Sequence, residues 1–358
     1  MTATNDTISR KKPIYPISQP LRKFLKHYGR EVKINAVYSD MLRYNGGIPL
    51  YDVHGKDTLW LTVLYPQSEA TQLHLALLEV YALLKTGGEL TDHLSVQRID
   101  FCTFGNSNPF RVRIVNNYND NFDYFYVKQA DASRIYGLEL EHILSPNRIS
   151  YLVCDTTLIE EHIAGIPGDM FIKNQLSEKG FNEIRLAKEF VKFNERCFLR
   201  LLGDMRSYNY VVDVTPDFEE THYRIRAIDF DQQSYEGRKK IYMPQFFKEN
   251  LAIVNLCIKH INAETLHQYQ LEEQTLMARR IKSAKHMIHD LLNCMMHDTI
   301  SDESRVSQLR QELYEHYNNP VFLNCKNMGA LVRASLREMI KRNSQHFKKM
   351  AAKRVKDY

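Results

Sequence analysis

The stretch from Leu202 to Asp231 restricts the fold of this chain more than any other. Two runs rich in β-branched and aromatic residues, Tyr210-Val-Val-Asp-Val214 and Tyr223-Arg-Ile-Arg-Ala-Ile228, flank a polar, turn-rich segment, which is the pattern of a β-hairpin. A hairpin sets its outer ends side by side. Asp204 and Asn209, in Leu202-Gly-Asp-Met-Arg-Ser-Tyr-Asn209, are therefore predicted to converge with Asp229, in Ile228-Asp-Phe-Asp231.

That set of side chains suits phosphoryl transfer. A magnesium ion takes hard oxygen ligands and usually only one or two carboxylates, leaving phosphate and water to complete its shell, and Asn209 with Asp229 meets that need. Asp204 would orient the attacking hydroxyl. Arg206, two residues on, would neutralise charge developing on the γ-phosphate, an effect on the order of a few kcal/mol. Upstream, Phe122-Asp-Tyr-Phe-Tyr-Val-Lys128 reads as a strand ending in a lysine, and Ser133 as the cap of a helix from Arg134 to about Leu144. Glu139 shares a helical face with Ile135, Leu138 and His142 and is the candidate to turn toward Lys128. Glu141 competes for that role, and the sequence leaves the choice open.

With these motifs, residues 96 to about 260 resemble the protein-kinase-like superfamily. The resemblance is closer to its atypical branches, the aminoglycoside and choline phosphotransferases and the bacterial persistence-toxin serine kinases, than to the eukaryotic signalling kinases. It implies an α+β, bilobal protein-kinase-like fold: a small antiparallel-sheet lobe plus a mainly helical large lobe, here with an N-terminal extension. Val96 to Phe101 and Phe110 to Val115 look like the first two small-lobe strands, and the loop between them, with its one glycine, Gly105, like the cover over the phosphates. Lys128 and Glu139 then correspond to the pair that aligns the triphosphate. Ile149 to Cys154 and Thr157 to Ile163 look like the last strands running into a hinge, where backbone groups at Glu161 and Ile163 would bond adenine. Asp204 resembles the catalytic aspartate, and Asn209 and Asp229 the metal ligands. Gly203 before Asp204, and Asp231 in place of a glycine, fit the atypical branches.

The resemblance implies ATP and magnesium as cofactors and, as first choice, a Ser/Thr hydroxyl on a protein as acceptor. A small-molecule kinase, an AMP transferase and a catalytically inactive pseudokinase scaffold are the alternatives. The short segment from Asp229 to Gln245 leaves no room for a long regulatory loop.

Along the chain, residues 1–30 read as a flexible basic arm, 31–95 as a strand-helix extension docked on the small lobe, 96–163 as the small lobe and 164–332 as the large lobe. Residues 333–358 read as a basic C-terminal helix with nine Lys/Arg against two acidic residues. Such a helix can attract an acidic partner, while Leu336, Ile340, Phe347 and Met350 give it an apolar side. His286, His289, Asp290, His297 and Asp298 have the look of a His-Asp metal site but do not share one helical face, so polar residues on a surface or interhelix face are expected there. With 44 % apolar and 25 % charged residues the 358-residue chain is ordinary for a globular protein. Six scattered cysteines without a C-x-x-C pair read as reduced thiols. The polar N-terminus and the lack of a run of about 20 apolar residues point to a cytoplasmic location.

Overall fold

The computed structural model describes residues 12–356 except 53, 105–106, 177–180 and 218–220, and of 347–356 it describes the backbone only. Gly105 of the expected phosphate loop, Arg10 and Lys11 of the basic arm, and the Phe347 and Met350 side chains therefore lie outside the described residues. The fold class is α+β, and the chain forms two compact units, one built on a sheet and one mainly helical. The first comprises residues up to 17, 25–132 and 150–162; the second comprises 18–24, 133–149 and 163 onward.

The sheet unit has seven antiparallel strands: β1 (Gly46–Tyr51), β2 (Asp57–Leu64), β3 (Leu94–Cys102), β4 (Phe110–Asn116), β5 (Phe122–Gln129), β6 (Tyr151–Cys154) and β7 (Thr157–Glu161). Their order is β1-β2-β3-β4-β5-β7-β6. The extension over 31–95 thus does more than dock, since β2 pairs with β3 and lengthens the same sheet. Alternation along β5 explains the two faces of this sheet: Phe125 and Val127 enter the core, while Tyr124, Tyr126 and Lys128 take the opposite side. Leu77, Val80 and Leu84 of the helix Gln67–Lys85 share that core with Val63, Ile99, Phe110 and Val112. At Gly87 and Gly88 the backbone turns left-handed (φ 70° and 102°) and closes the helix.

The arm expected to be flexible holds structure from residue 12. Asp131 accepts from the ammonium of buried Lys12 and from the Tyr15 amide (3.1 Å), so a carboxylate fixes the segment. A helix, α1 (Gln19–His27), follows, and its Leu21, Phe24 and Leu25 are buried. The sequence reading missed it because the basic, proline-containing flanks hid a short apolar stripe.

Numbered on from α1, with a short α2 (Tyr38–Met41) and α3 (Gln67–Lys85) in the sheet unit, the helices of the second unit are α4 (Ala132–Leu144), α5 (Gly168–Asn174), α6 (Glu183–Arg200), α7 (Leu251–His260), α8 (Ala263–Ser283), α9 (Lys285–His297), α10 (Glu303–Tyr317) and α11 (Met328–Lys356). A small sheet joins β8 (Ile166–Pro167), β9 (Tyr210–Pro216) and β10 (Thr221–Ala227). Ala284 separates α8 from α9. The C-terminal helix starts at Met328, and its buried Leu331, Val332, Leu336 and Met339 tie it into the core, so residue 333 marks no boundary in it. Asp298 accepts from the buried Tyr136 hydroxyl at 2.6 Å, a structural role. No helix among the described residues is long and apolar enough to cross a membrane.

Candidate active site

Helix α6 delivers the first motif. Asn182 caps it by accepting from the Arg185 amide (3.1 Å), and a stripe of Leu186, Phe190, Phe193, Cys197 and Phe198 buries one side. At its end Leu201 adopts a left-handed conformation (φ 57°), and the amide nitrogen of fully buried Gln233 donates to the carbonyls of Arg200 (2.6 Å) and Leu201 (3.2 Å). The last carbonyls of a helix lack partners within it, and the Leu201 carbonyl also accepts from the Ser234 amide (2.8 Å). The chain after β10 is thus clasped to the end of α6. Gly203 donates to the Gln232 carbonyl (3.1 Å), and a Cβ at this position would stand 3.1 Å from that same oxygen, so the backbones meet closely because the residue is glycine.

Asp204 follows with φ 57°, its amide bonded to the Ile241 carbonyl at 3.1 Å. Left-handed conformations cost residues with a Cβ roughly 1–2 kcal/mol each, and Leu201, Asp204 and Ser234 (φ 51°) share this one corner. Burial pushes the Asp204 carboxyl up to about 6; the Arg206 guanidinium opposes the shift, and Asp229 and Glu249 add to it. Arg206 donates from Nε to Asp204 (2.8 Å) and from Nη1 to Glu249 (2.8 Å), and lies over the Phe247 ring. Most of this side chain is therefore committed to two carboxylates. Its Nη2 donates to none of the described residues.

The predicted hairpin is formed: β9 and β10 pair from Tyr210↔Ala227 to Pro216↔Thr221. One step beyond the last pair, the Ile228 amide donates to the Asn209 carbonyl at 3.0 Å, which sets Asn209 beside the start of the Asp229 motif. Asn209 gives its amide nitrogen to the Asp204 carbonyl (2.7 Å) and to Oδ2 of the same residue (3.4 Å), while its amide oxygen accepts no hydrogen bond from the described residues. Sequence reasoning missed the residue that faces Asp229. Arg134, 2 % exposed on α4, donates from Nη1 to Asp229 (2.7 Å) and to Asp231 (2.7 Å). The signal was an arginine four residues before Leu138, on the apolar stripe of a helix. Ser133 lies inside α4 and donates to the Gln233 carbonyl (2.7 Å) in place of the capping role expected for it, because the helix begins a residue earlier at Ala132.

In the sheet unit, Lys128 is buried and donates to Glu160 on β7 at 2.8 Å. The register puts Glu160 opposite Tyr126, hence on the face that carries Lys128, and strand pairing of this kind leaves no mark in the sequence. Glu161 accepts from the Ser150 amide (2.7 Å), and the chain leaves this unit after His162, with Ile163 the first residue of the next. In α4, Glu139 is fully buried, and Glu141 forms a buried ion pair with Arg200 that holds its carboxyl below the usual range against the cost of burial.

A divalent cation is compatible with the donors in the second unit. The Asn209 oxygen is uncommitted among the described residues, Asp229 is a hard carboxylate about a third exposed (35 %), and neither motif contains a thiol or an imidazole. No protein-family model and no curated protein matches this chain. Among solved structures, one described as "Titin kinase and its flanking domains" is similar at 15 % identity with a TM-score of 0.25; the match covers 63 % of this chain and spans 51 %, about half, of that one.

Proposed function

We propose that the chain is a magnesium- and ATP-dependent phosphotransferase of kinase-like fold whose acceptor is a Ser/Thr hydroxyl on a protein. One observation carries the reading: the β9–β10 hairpin sets Asn209 against the Asp229 motif, while Asn209 is itself bonded to Asp204. In this reading Asn209 and Asp229 hold the metal, which screens the phosphate charge. Asp204 accepts the hydroxyl proton, and its raised pKa suits a base working near neutrality. Arg206 offers its remaining N–H groups to the γ-phosphate, and within the sheet unit Lys128, paired with Glu160, is the proposed contact to the other phosphates.

The test is incubation of the protein with magnesium and ATP labelled at the γ or the α position, beside Asp229→Ala. Transfer of γ label to protein, abolished in the variant, is expected. Label from the α position would mean AMP transfer, and γ label appearing only on added small alcohols would mean a small-molecule kinase. A second reading, a scaffold without activity, draws on the Arg134 bonds to Asp229, since a fixed guanidinium competes with a metal. Neither label transfer nor a nucleotide-dependent rise in Tm would favour it.

A further inference from the structure

The second unit contains a cleft of about 800 Å³ between α6, α7, α8, α10 and α11, and none of the residues assigned to phosphoryl transfer lines it. That size is typical of small-molecule sites, roughly 300–1,000 Å³. Its walls include Phe190, Phe198, Leu271 and Met339, and at its mouth Phe246, Ile258 and Leu266 are 60 %, 74 % and 39 % exposed. Large apolar side chains facing water around a concave apolar surface are what a ligand site leaves uncovered.

One acidic group enters this lining. Glu195, 6 % exposed on α6, accepts from the side-chain amides of Gln274 (2.7 Å) and Gln270 (3.3 Å), and no cation pairs with it among the described residues. The cations nearby are engaged elsewhere. Arg342 on α11 is bonded to Glu338 (2.7 Å) and to the Tyr317 carbonyl (3.0 Å), and burial beside Lys239 and Arg342 lowers His316 on α10 to about 4, so it is neutral. Glu273 on α8 adds negative charge near Glu195 and is itself paired with Arg196 (3.3 Å). His267 on α8 and His346 on α11 contact each other edge-on at the same lining. Burial lifts the Glu195 carboxyl to about 7. A buried carboxylate is costly unless a cation meets it.

We infer that this cleft binds an amphipathic amine, with its apolar body against Phe190, Phe198, Leu271 and Met339 and its ammonium group on the Glu195 carboxylate. Where Glu195 is protonated beforehand, its proton passes to the buffer as the ion pair forms. The two glutamines hold the carboxylate in place, and the apolar walls supply affinity without direction.

Calorimetric titration of the full chain near neutral pH with phenylbutylamine and with phenylbutanol, alike in shape and different in charge, tests this. The amine is expected to bind at least about tenfold more tightly. In Glu195→Gln the two affinities should converge with alcohol binding retained, and Leu271→Trp, which fills the cleft, should weaken both. Equal affinities in the parent, binding of neither probe, or an amine preference that survives Glu195→Gln would overturn the inference. Should Glu195→Gln fail to fold, the parent still decides. Its affinity for the amine must exceed that for the alcohol, and equal affinities refute the ion pair. The readout is independent of nucleotide, so it stands or falls apart from the phosphotransferase assignment.

Discussion

Asp204 concentrates the chemistry of the site in one carboxyl. A base must be ionised to accept a proton, so with its pKa near 6 label transfer should rise between about pH 5 and pH 7 and level off above. Asp204→Asn should remove that limb and lower transfer by about 10²-fold or more, read from initial rates across the pH range. The same shift has a stability consequence of opposite sense. Because the folded state raises this pKa above its ordinary 3.8, its contribution to stability is fully present below the unfolded pKa and is lost as pH rises through about 6. Asp204→Asn should therefore gain stability relative to the parent at pH 8 more than at pH 5 in denaturant titrations, and an unchanged difference would argue against the shift.

Elements here are joined by buried polar contacts that can be broken one at a time. Glu141 of α4 and Arg200 of α6 are 2 % and 1 % exposed and pair in the core of the second unit. Glu141→Gln alone leaves a buried guanidinium without its counter-charge and should cost about 3–5 kcal/mol, while the double change Glu141→Leu with Arg200→Met should restore most of it. Chemical denaturation of the singles and the double measures this. At the start of α5, a Cβ on Gly168 would stand 2.3 Å from the Tyr210 ring and 2.4 Å from the Ser207 carbonyl. Gly168→Ala should cost about 1–3 kcal/mol and, by displacing the turn that carries Asn209, weaken nucleotide-dependent stabilisation in thermal melts.

For the chain taken entire, α11 is the piece most open to misreading. Its positive charge reads as a separate basic helix open to an acidic partner, and Leu336 on its apolar side is buried with Met339, at 2 % and 1 % exposed. A chain ending before residue 333 should lose its cooperative melt, detected by calorimetry. A truncation that melts like the parent would show that this helix contributes no core.

The hairpin was legible because its signals are local. β-Branched and aromatic runs and a polar turn each act within a few neighbours along the chain, and together they set Asn209 beside the Asp229 motif. Arg134 on the two aspartates, Glu160 on Lys128, Arg200 on Glu141 and Glu195 between Gln270 and Gln274 in its cleft were not legible, and neither was the structured start of the chain at Lys12. Each of these depends on which side chains meet across elements far apart in sequence. Register and packing make that choice, and residue type alone does not encode it.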